Sequence, residues 1–233
     1  MTGYAVRGLE FGYTSEPIFD GFDVDFPSGE VTALIGANGT GKSTLINLVV
    51  GLLRPAGGRV APRPVRPALL AQRTEHIDGL PLTVRDCVSM GRFGSVPFWK
   101  PLGKSDRALV VEMIERVGMT EYTGQRLRDL SGGQRQRVMI AQTMVQEAGL
   151  YLLDEPSTAL DVAGREMLFG LLREKAERGA AVVLATHDAV EVAFADRVVD
   201  LGGGLATIRP ARSVTEAIVP SAPGNPLRPM SAV

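Results

Sequence analysis

Gly36-Ala37-Asn38-Gly39-Thr40-Gly41-Lys42-Ser43 constrains this chain more than any other feature. It follows a compact β-rich run, Val31 to Ile35, and precedes Ile46, Val49, Val50 and Leu53 at helical spacing. Strand, glycine-rich turn and helix in that order make a phosphate cradle. Glycines let the backbone curl and turn its N–H groups inward, and the helix N-terminus adds further donors. Gly36, Gly41, Lys42 and Ser43 hold the required positions of the pattern. Lys42 is placed to reach β- and γ-phosphates, and the Ser43 hydroxyl to ligate Mg²⁺. Asn38, Gly39 and Thr44 belong to the same lining. The helix is expected from Gly41 to about Leu53, stopped by Arg54-Pro55 and Gly57-Gly58.

A second run, Leu150-Tyr151-Leu152-Leu153-Asp154-Glu155, is apolar until its last two residues. A buried strand of this kind projects Asp154 toward a phosphate-bound Mg²⁺. Glu155 then lies beside the γ-phosphate, where it can orient or deprotonate a water. An Asp-Glu pair at a strand end says little alone; beside a phosphate loop it is specific.

The other elements fall around these two. Met1 to about Leu34 reads as short strands and turns, and Ala68 to Ala71 as a strand ending at Gln72. Three helices follow: Val84 to Met90 capped by Thr83, one capped by Ser105 that carries Leu109, Met113 and Val117, and Gly132 to Val145 with Val138, Ala141 and Val145 on one face. Strand signals return at Leu150 to Leu153 and Ala181 to Ala185, with a helix from Val162 to Arg178 between them. This order predicts a mainly parallel α/β core with an inserted helical lobe, about 76–148, in one domain spanning 1–208. Residues 209–233 are rich in Pro, Ala and Ser and read as a tail.

Composition excludes some classes. Lys+Arg number 25 and Asp+Glu 26, a net charge of -1, which argues against a nucleic-acid partner. Cys87 is the single cysteine, so no internal disulfide can form, and a reducing compartment fits. One Cys and two His cannot build a zinc-finger type of site. Apolar stretches such as Ala180 to Ala185 fall far short of the roughly 20 residues a membrane span needs. The N-terminus has no signal-peptide pattern, so a cytosolic chain is expected, held at any membrane by a partner.

Leu130-Ser131-Gly132-Gly133-Gln134, between the phosphate loop and the Asp154 strand, gives the chain its family likeness. The chain resembles the ATPases of the ATP-binding-cassette (ABC) family from about Leu9 to Leu201. The resemblance implies a P-loop NTPase (RecA-like) α/β core with a β-rich N-terminal part and an inserted α-helical subdomain. It implies ATP hydrolysis with Mg²⁺. It also implies a head-to-tail homodimer, in which Ser131, Gly133 and Gln134 close over the other subunit's ATP. Gln72 resembles the glutamine that senses Mg²⁺ and the attacking water. His187 resembles the switch histidine after the last core strand, holding the water and Glu155. Ser157 to Asp161 resembles the loop that crosses the dimer interface, and Asp161 also reads as a helix cap. Tyr13 resembles the aromatic that stacks on adenine, with Phe11 and Phe19 close by. Gln142 stands where many relatives carry arginine.

Between Gln72 and the signature, such ATPases receive the coupling helix of a membrane permease. Here that region reads Pro81-Leu82-Thr83-Val84-Arg85-Asp86 and then Met90-Gly91-Arg92. It looks like the ATPases of zinc and manganese importers. Those of ferric-siderophore and haem importers carry a looser version. Likeness favours zinc. The implied partners are permease subunits and an extracytoplasmic metal-binding protein, with the ATPase on the cytoplasmic face of the membrane. A soluble ABC ATPase acting on ribosomes or DNA fits a compact 233-residue chain poorly. Cys87 and His76 lack clustered ligands, and Cys87 reads as a buried apolar position.

Overall fold

The computed structural model describes residues 3–71, 81–94, 96, 97, 99–202 and 207–210. Gln72, His76 and the tail beyond residue 210 lie outside them.

Strands β1 (Tyr4–Phe11), β2 (Phe19–Phe26) and β4 (Gly57–Ala61) form an antiparallel sheet in the order β2-β1-β4. The larger sheet also contains β3 (Val31–Ile35), β5 (Ala68–Leu70), β6 (Leu150–Asp154), β7 (Ala181–Ala185), β8 (Arg197–Asp200) and β9 (Thr207–Pro210). Its order is β5-β6-β7-β3-β8-β9; β9 alone pairs antiparallel. A parallel sheet is covered on both faces, so its strands read as continuous apolar runs. The pleat sorts them. Tyr151, Leu153, Val182 and Leu184 face one core, shared with the helical lobe and α5 (Val162–Glu177). Leu150, Leu152, Ala181 and Val183 face the other, shared with α1 (Lys42–Val50) and the antiparallel sheet. Leu152 and Leu153 are fully buried, which contributes about 1.5–3 kcal/mol for each.

Register then places the chemistry. Asp154 pairs with Ala185, and Ala185 with Leu34. The C-terminal ends of β3, β6 and β7 are therefore level, and the segments leaving them emerge at one edge of the sheet. Open parallel sheets bind ligands at that edge.

The helical lobe holds α2 (Val84–Phe93), α3 (Lys104–Arg116) and α4 (Gly132–Met144). Thr83 caps α2 as expected, its hydroxyl accepting from the Asp86 N–H while Asp86 accepts from the Thr83 N–H. The helix runs on past Met90 to Phe93, and Gly91 within it is needed where it stands. A Cβ there would come within 2.3 Å of the Gln142 carbonyl, so glycine lets α2 and α4 close up. Arg92 beyond it is buried, donating to Asp106 at 3.0 Å and to the Val145 carbonyl at 3.0 Å.

Four expectations are corrected. α1 ends at Val50, not Leu53: Gly51, at φ 88°, donates back to the Asn47 and Leu48 carbonyls and closes the helix. Ser105 lies inside α3; Gly103 begins it, with Asp106 accepting from the Gly103 N–H. Met113 and Val117 are buried as expected, joined by Val110 and Ile114, while Leu109 meets solvent. Gly57-Gly58 does not merely stop a helix but opens β4, an edge strand against which β1 bulges between Arg7 and Glu10. Finally, β7 is not the last core strand, because α6 (Ala189–Phe194), β8 and β9 follow it.

Among the described residues no helix is long and apolar enough to cross a membrane.

Candidate functional site

A cleft of about 610 Å³ opens at the edge where β3, β6 and β7 end. Its walls are Tyr13, Ile18, Asn38, Gly39, Gly41, Lys42, Ser43, Thr44, Asp154, Glu155 and His187. Ten of these eleven were expected from sequence; Ile18 was not, because an isolated apolar residue after a turn carries no local signal. A cavity of about 640 Å³ lies at the other end of the strands, beside Tyr4, Tyr151, Lys175 and Arg178.

The floor of the cleft is the loop from Gly36 to Ser43. Gly41 has φ 99°, and a Cβ there would come within 2.7 Å of Ile18 and 2.9 Å of Phe19. Only glycine meets both demands. Gly41 caps α1 without a side-chain acceptor, so the first-turn donors of α1 have no side-chain cap. The Lys42 ammonium donates to the Gly36 carbonyl at 2.8 Å and the Ala37 carbonyl at 3.1 Å. It thus curls over the loop it springs from, beside the space a phosphate would take.

Asp154 is nearly buried, 7% exposed. Burial raises its carboxyl above the ordinary carboxylate range. The Ser43 hydroxyl donating to it opposes that, the negative Glu155 adds to it, and Lys42 lowers it again. A hydroxyl and a desolvated carboxylate side by side are hard oxygen donors of the type Mg²⁺ takes, so these residues fit that ion. A penalised buried charge also makes a test. Asp154→Asn keeps the acceptor for Ser43 and removes the charge. It is expected to raise the melting temperature of the nucleotide-free protein at pH 7 by roughly 2–4 °C, about 1 kcal/mol, while ATP turnover collapses. The sign follows from linkage. A raised carboxyl pKa leaves the folded state most stable where Asp154 is protonated, and that stability is lost as pH rises through the folded value. The gain from Asn should therefore fade at pH values below the ordinary carboxylate range. A melting temperature at pH 7 equal to or below wild type would refute this.

Glu155 sits at φ 50°, a left-handed position rare for a residue with a side chain. Its N–H donates to the Ala185 carbonyl. His187 Nδ1 lies 3.3 Å from Glu155 Oε1, although the two are far apart in sequence. His187 is otherwise open to the cleft, its side chain 69% exposed. The turn that carries it is fixed by Thr186, whose N–H donates to the Leu34 carbonyl and whose hydroxyl accepts from Asp188.

The three aromatic candidates separate by burial. Phe19 is packed against Phe22 in the core. Phe11 sits edge-on to Tyr13 at 5.0 Å, and Tyr13 is 65% exposed on the cleft wall.

Ser131, Gly133, Gln134 and Asp161 do not line the cleft. Ser131 caps α4: its hydroxyl accepts from the Gln134 N–H at 3.3 Å, and Gln134 accepts from the Ser131 N–H at 2.9 Å. Asp161 caps α5 through the Gly164 N–H at 2.9 Å. That donor first, and the Arg137 guanidinium second, hold its carboxyl below the ordinary range. Gln72 lies outside the described residues. Cys87 is buried with Sγ 3.9 Å from Met139 Sδ, and burial pushes its thiol up to about 11. It therefore stays protonated and packs as an apolar group.

The phosphate loop, the adjacent carboxylates and the facing histidine at the C-terminal ends of a parallel sheet define a P-loop ATPase. The ABC transporter family model matches residues 19–158, and the chain belongs to that family as its ATP-hydrolysing component. It is 40% identical over 207 residues to the zinc transport system ATP-binding protein TroB of Treponema pallidum, spanning 84% of this chain and 78% of that protein. It is 38% identical over 193 residues to the manganese transport system ATP-binding protein MntB of Halalkalibacterium halodurans, spanning 80% and 77%. A solved structure assigned to the metal-chelate type of ABC transporter, in an inward-facing conformation, superposes with a TM-score of 0.79. It is 29% identical and is covered over 92% of this chain and 85% of that one.

Proposed function

We propose that this chain is the motor subunit of an importer for a metal ion, with zinc as the cargo. It would work as a homodimer beneath permease subunits at the cytoplasmic face of a membrane, supplied by an extracytoplasmic metal-binding protein. The observation that carries the dimer is the one just described: Ser131 and Gly133 stand at a helix N-terminus away from their own cleft. A single chain leaves that second phosphate-binding end without a phosphate; two chains head to tail give it the other's. The zinc reading is supported by the 40% identity to TroB, with manganese close behind at 38% to MntB.

In this reading ATP enters with its adenine over Tyr13 and its phosphates in the loop of Gly36, Asn38, Gly39, Gly41 and Thr44. Lys42 exchanges its two carbonyl partners for β- and γ-phosphate oxygens. Ser43 and Asp154, with Gln72, would hold Mg²⁺, which when bound supplies positive charge to the phosphate chain. Glu155 takes up the attacking water and accepts its proton, and His187 holds Glu155 and the γ-phosphate in line. Ser131, Gly133 and Gln134 of one chain close over the other's ATP, and Asp161 lies at the junction. ATP favours the closed pair and ADP the open one, and that difference is the work delivered to the permease.

Radiolabelled zinc uptake in a strain lacking this gene tests the cargo. Uptake should return with the wild-type chain, stay absent with Lys42→Ala, and resist competition by manganese and ferric iron. Undiminished zinc uptake in the deletion strain moves the cargo to manganese, a ferric siderophore or haem, or shows that a second zinc system covers the loss.

A further inference from the structure

The turn after Glu155 is held in an unusual way. Glu155 and Ala159 both have positive φ, 50° and 73°, although neither is glycine. Such residues persist only where their surroundings hold them. Beside the Ala185 carbonyl that accepts from Glu155, the hold comes from one helix. Gln136, the second residue after the signature, donates from Nε2 to the Pro156 carbonyl at 2.7 Å. Arg137 beside it donates from Nη2 to Asp161 at 2.7 Å and from Nη1 to the Val117 carbonyl at 3.2 Å. Between these anchors, the Gly133 backbone lies so close that a Cβ would meet the Ala159 carbonyl at 2.9 Å. The signature helix α4 therefore grips the 156–161 turn at its start, middle and end, and Arg137 ties the same turn to the end of α3.

We propose that Gln136 and Arg137 are positioning residues that join the signature to this chain's own Glu155. This inference rests on the head-to-tail dimer of the preceding subsection. When Ser131 and Gly133 engage the partner's γ-phosphate, α4 is fixed, and the turn it grips is fixed with it. Glu155, one residue before the gripped Pro156, is then set at its own ATP. Each site thus becomes competent only when the other is filled, and the link runs through two side chains that touch no nucleotide.

The test uses the full chain with Gln136→Met, Arg137→Met and Arg137→Lys. Methionine keeps the bulk and removes the donors; lysine keeps one charged donor. Each methionine variant is expected to lower kcat about 10-fold, since slight misplacement of a catalytic group is costly. KM and the Kd for fluorescent ATP should stay within about two-fold, because neither residue faces the cleft. The double methionine variant should be no worse than the worse single one, as expected of residues acting as a unit. Arg137→Lys should recover part of the loss. A merely structural role would instead lower kcat, ATP affinity and melting temperature together, and that result overturns the proposal. So does wild-type kcat in both methionine variants. The Glu155→Gln chain is run beside them. If it forms an ATP-dependent dimer while the methionine variants keep full kcat, only the coupling fails. If it forms none, the dimer reading falls and takes the coupling with it.

Discussion

Replacing Glu155 by Gln is expected to slow ATP hydrolysis by about 10²–10⁴-fold and to leave ATP affinity within about two-fold. The side chain stands at the end of β6, one residue past buried Asp154 and 3.3 Å from His187. Its amide has the same length and shape and can still hold a water by a hydrogen bond. It cannot take the proton that the water loses on attack. Binding belongs to other groups, chiefly Lys42 and the loop amides, so affinity should survive. ATP that binds and is not consumed keeps favouring the closed pair, by mass action on whichever state binds it better. A dimer should accumulate with ATP and disperse with ADP. Steady-state phosphate release and size-exclusion chromatography measure both halves. A rate near wild type would remove Glu155 from its role, whatever the dimer does.

Lys42→Ala should weaken ATP binding about 10- to 100-fold, as loss of one charge-assisted contact of about 1.5–3 kcal/mol requires. The folded protein should lose little. The two carbonyls that Lys42 satisfies belong to Gly36, half-buried, and Ala37, exposed, so water can replace the ammonium. Fluorescent-nucleotide titration reads the first effect and thermal melting the second. ATP affinity within two-fold of wild type would show that the ammonium keeps its carbonyls when nucleotide binds. The contrast with Asp154→Asn is informative. One substitution removes a charge that is already hydrogen-bonded in the empty protein. The other removes a charge that the empty protein holds at a cost.

Several residues could be assigned from sequence because their chemistry is local. The phosphate loop needs glycines at fixed positions, a lysine and a hydroxyl, followed at once by a helix. All of that lies between Gly36 and Ser43. The strand ending in Asp154-Glu155 is an apolar run because both faces of a parallel sheet are covered. The capping boxes at Thr83 and Ser131 are four-residue patterns, and both form. Where the reading slipped, the deciding contact was distant. Ser105 is the exception: it is a good cap by type, but a local bond from the Gly103 N–H to Asp106 starts the helix earlier. Gly57-Gly58 looks like a stop, but pairing with β1 makes it a strand. Val198 and Val199 form too short a run to announce a strand, and β8 exists because β3 offers it an edge.

Sequence alone determined which chemical groups this chain carries and which backbone shapes hold them, because caps, turns and apolar periodicities act within a few residues. Tertiary structure decided which of those groups meet. His187 faces Glu155 because β6 and β7 pair in register at their ends. Tyr13 is left open on the cleft while Phe19 is taken by the core. The signature stays out of its own cleft, and Gln136 and Arg137 find the turn behind Glu155. Such pairings depend on strand register and on which face each helix buries. Both are fixed by the summed packing of residues scattered along the chain, and no short stretch of sequence contains that sum.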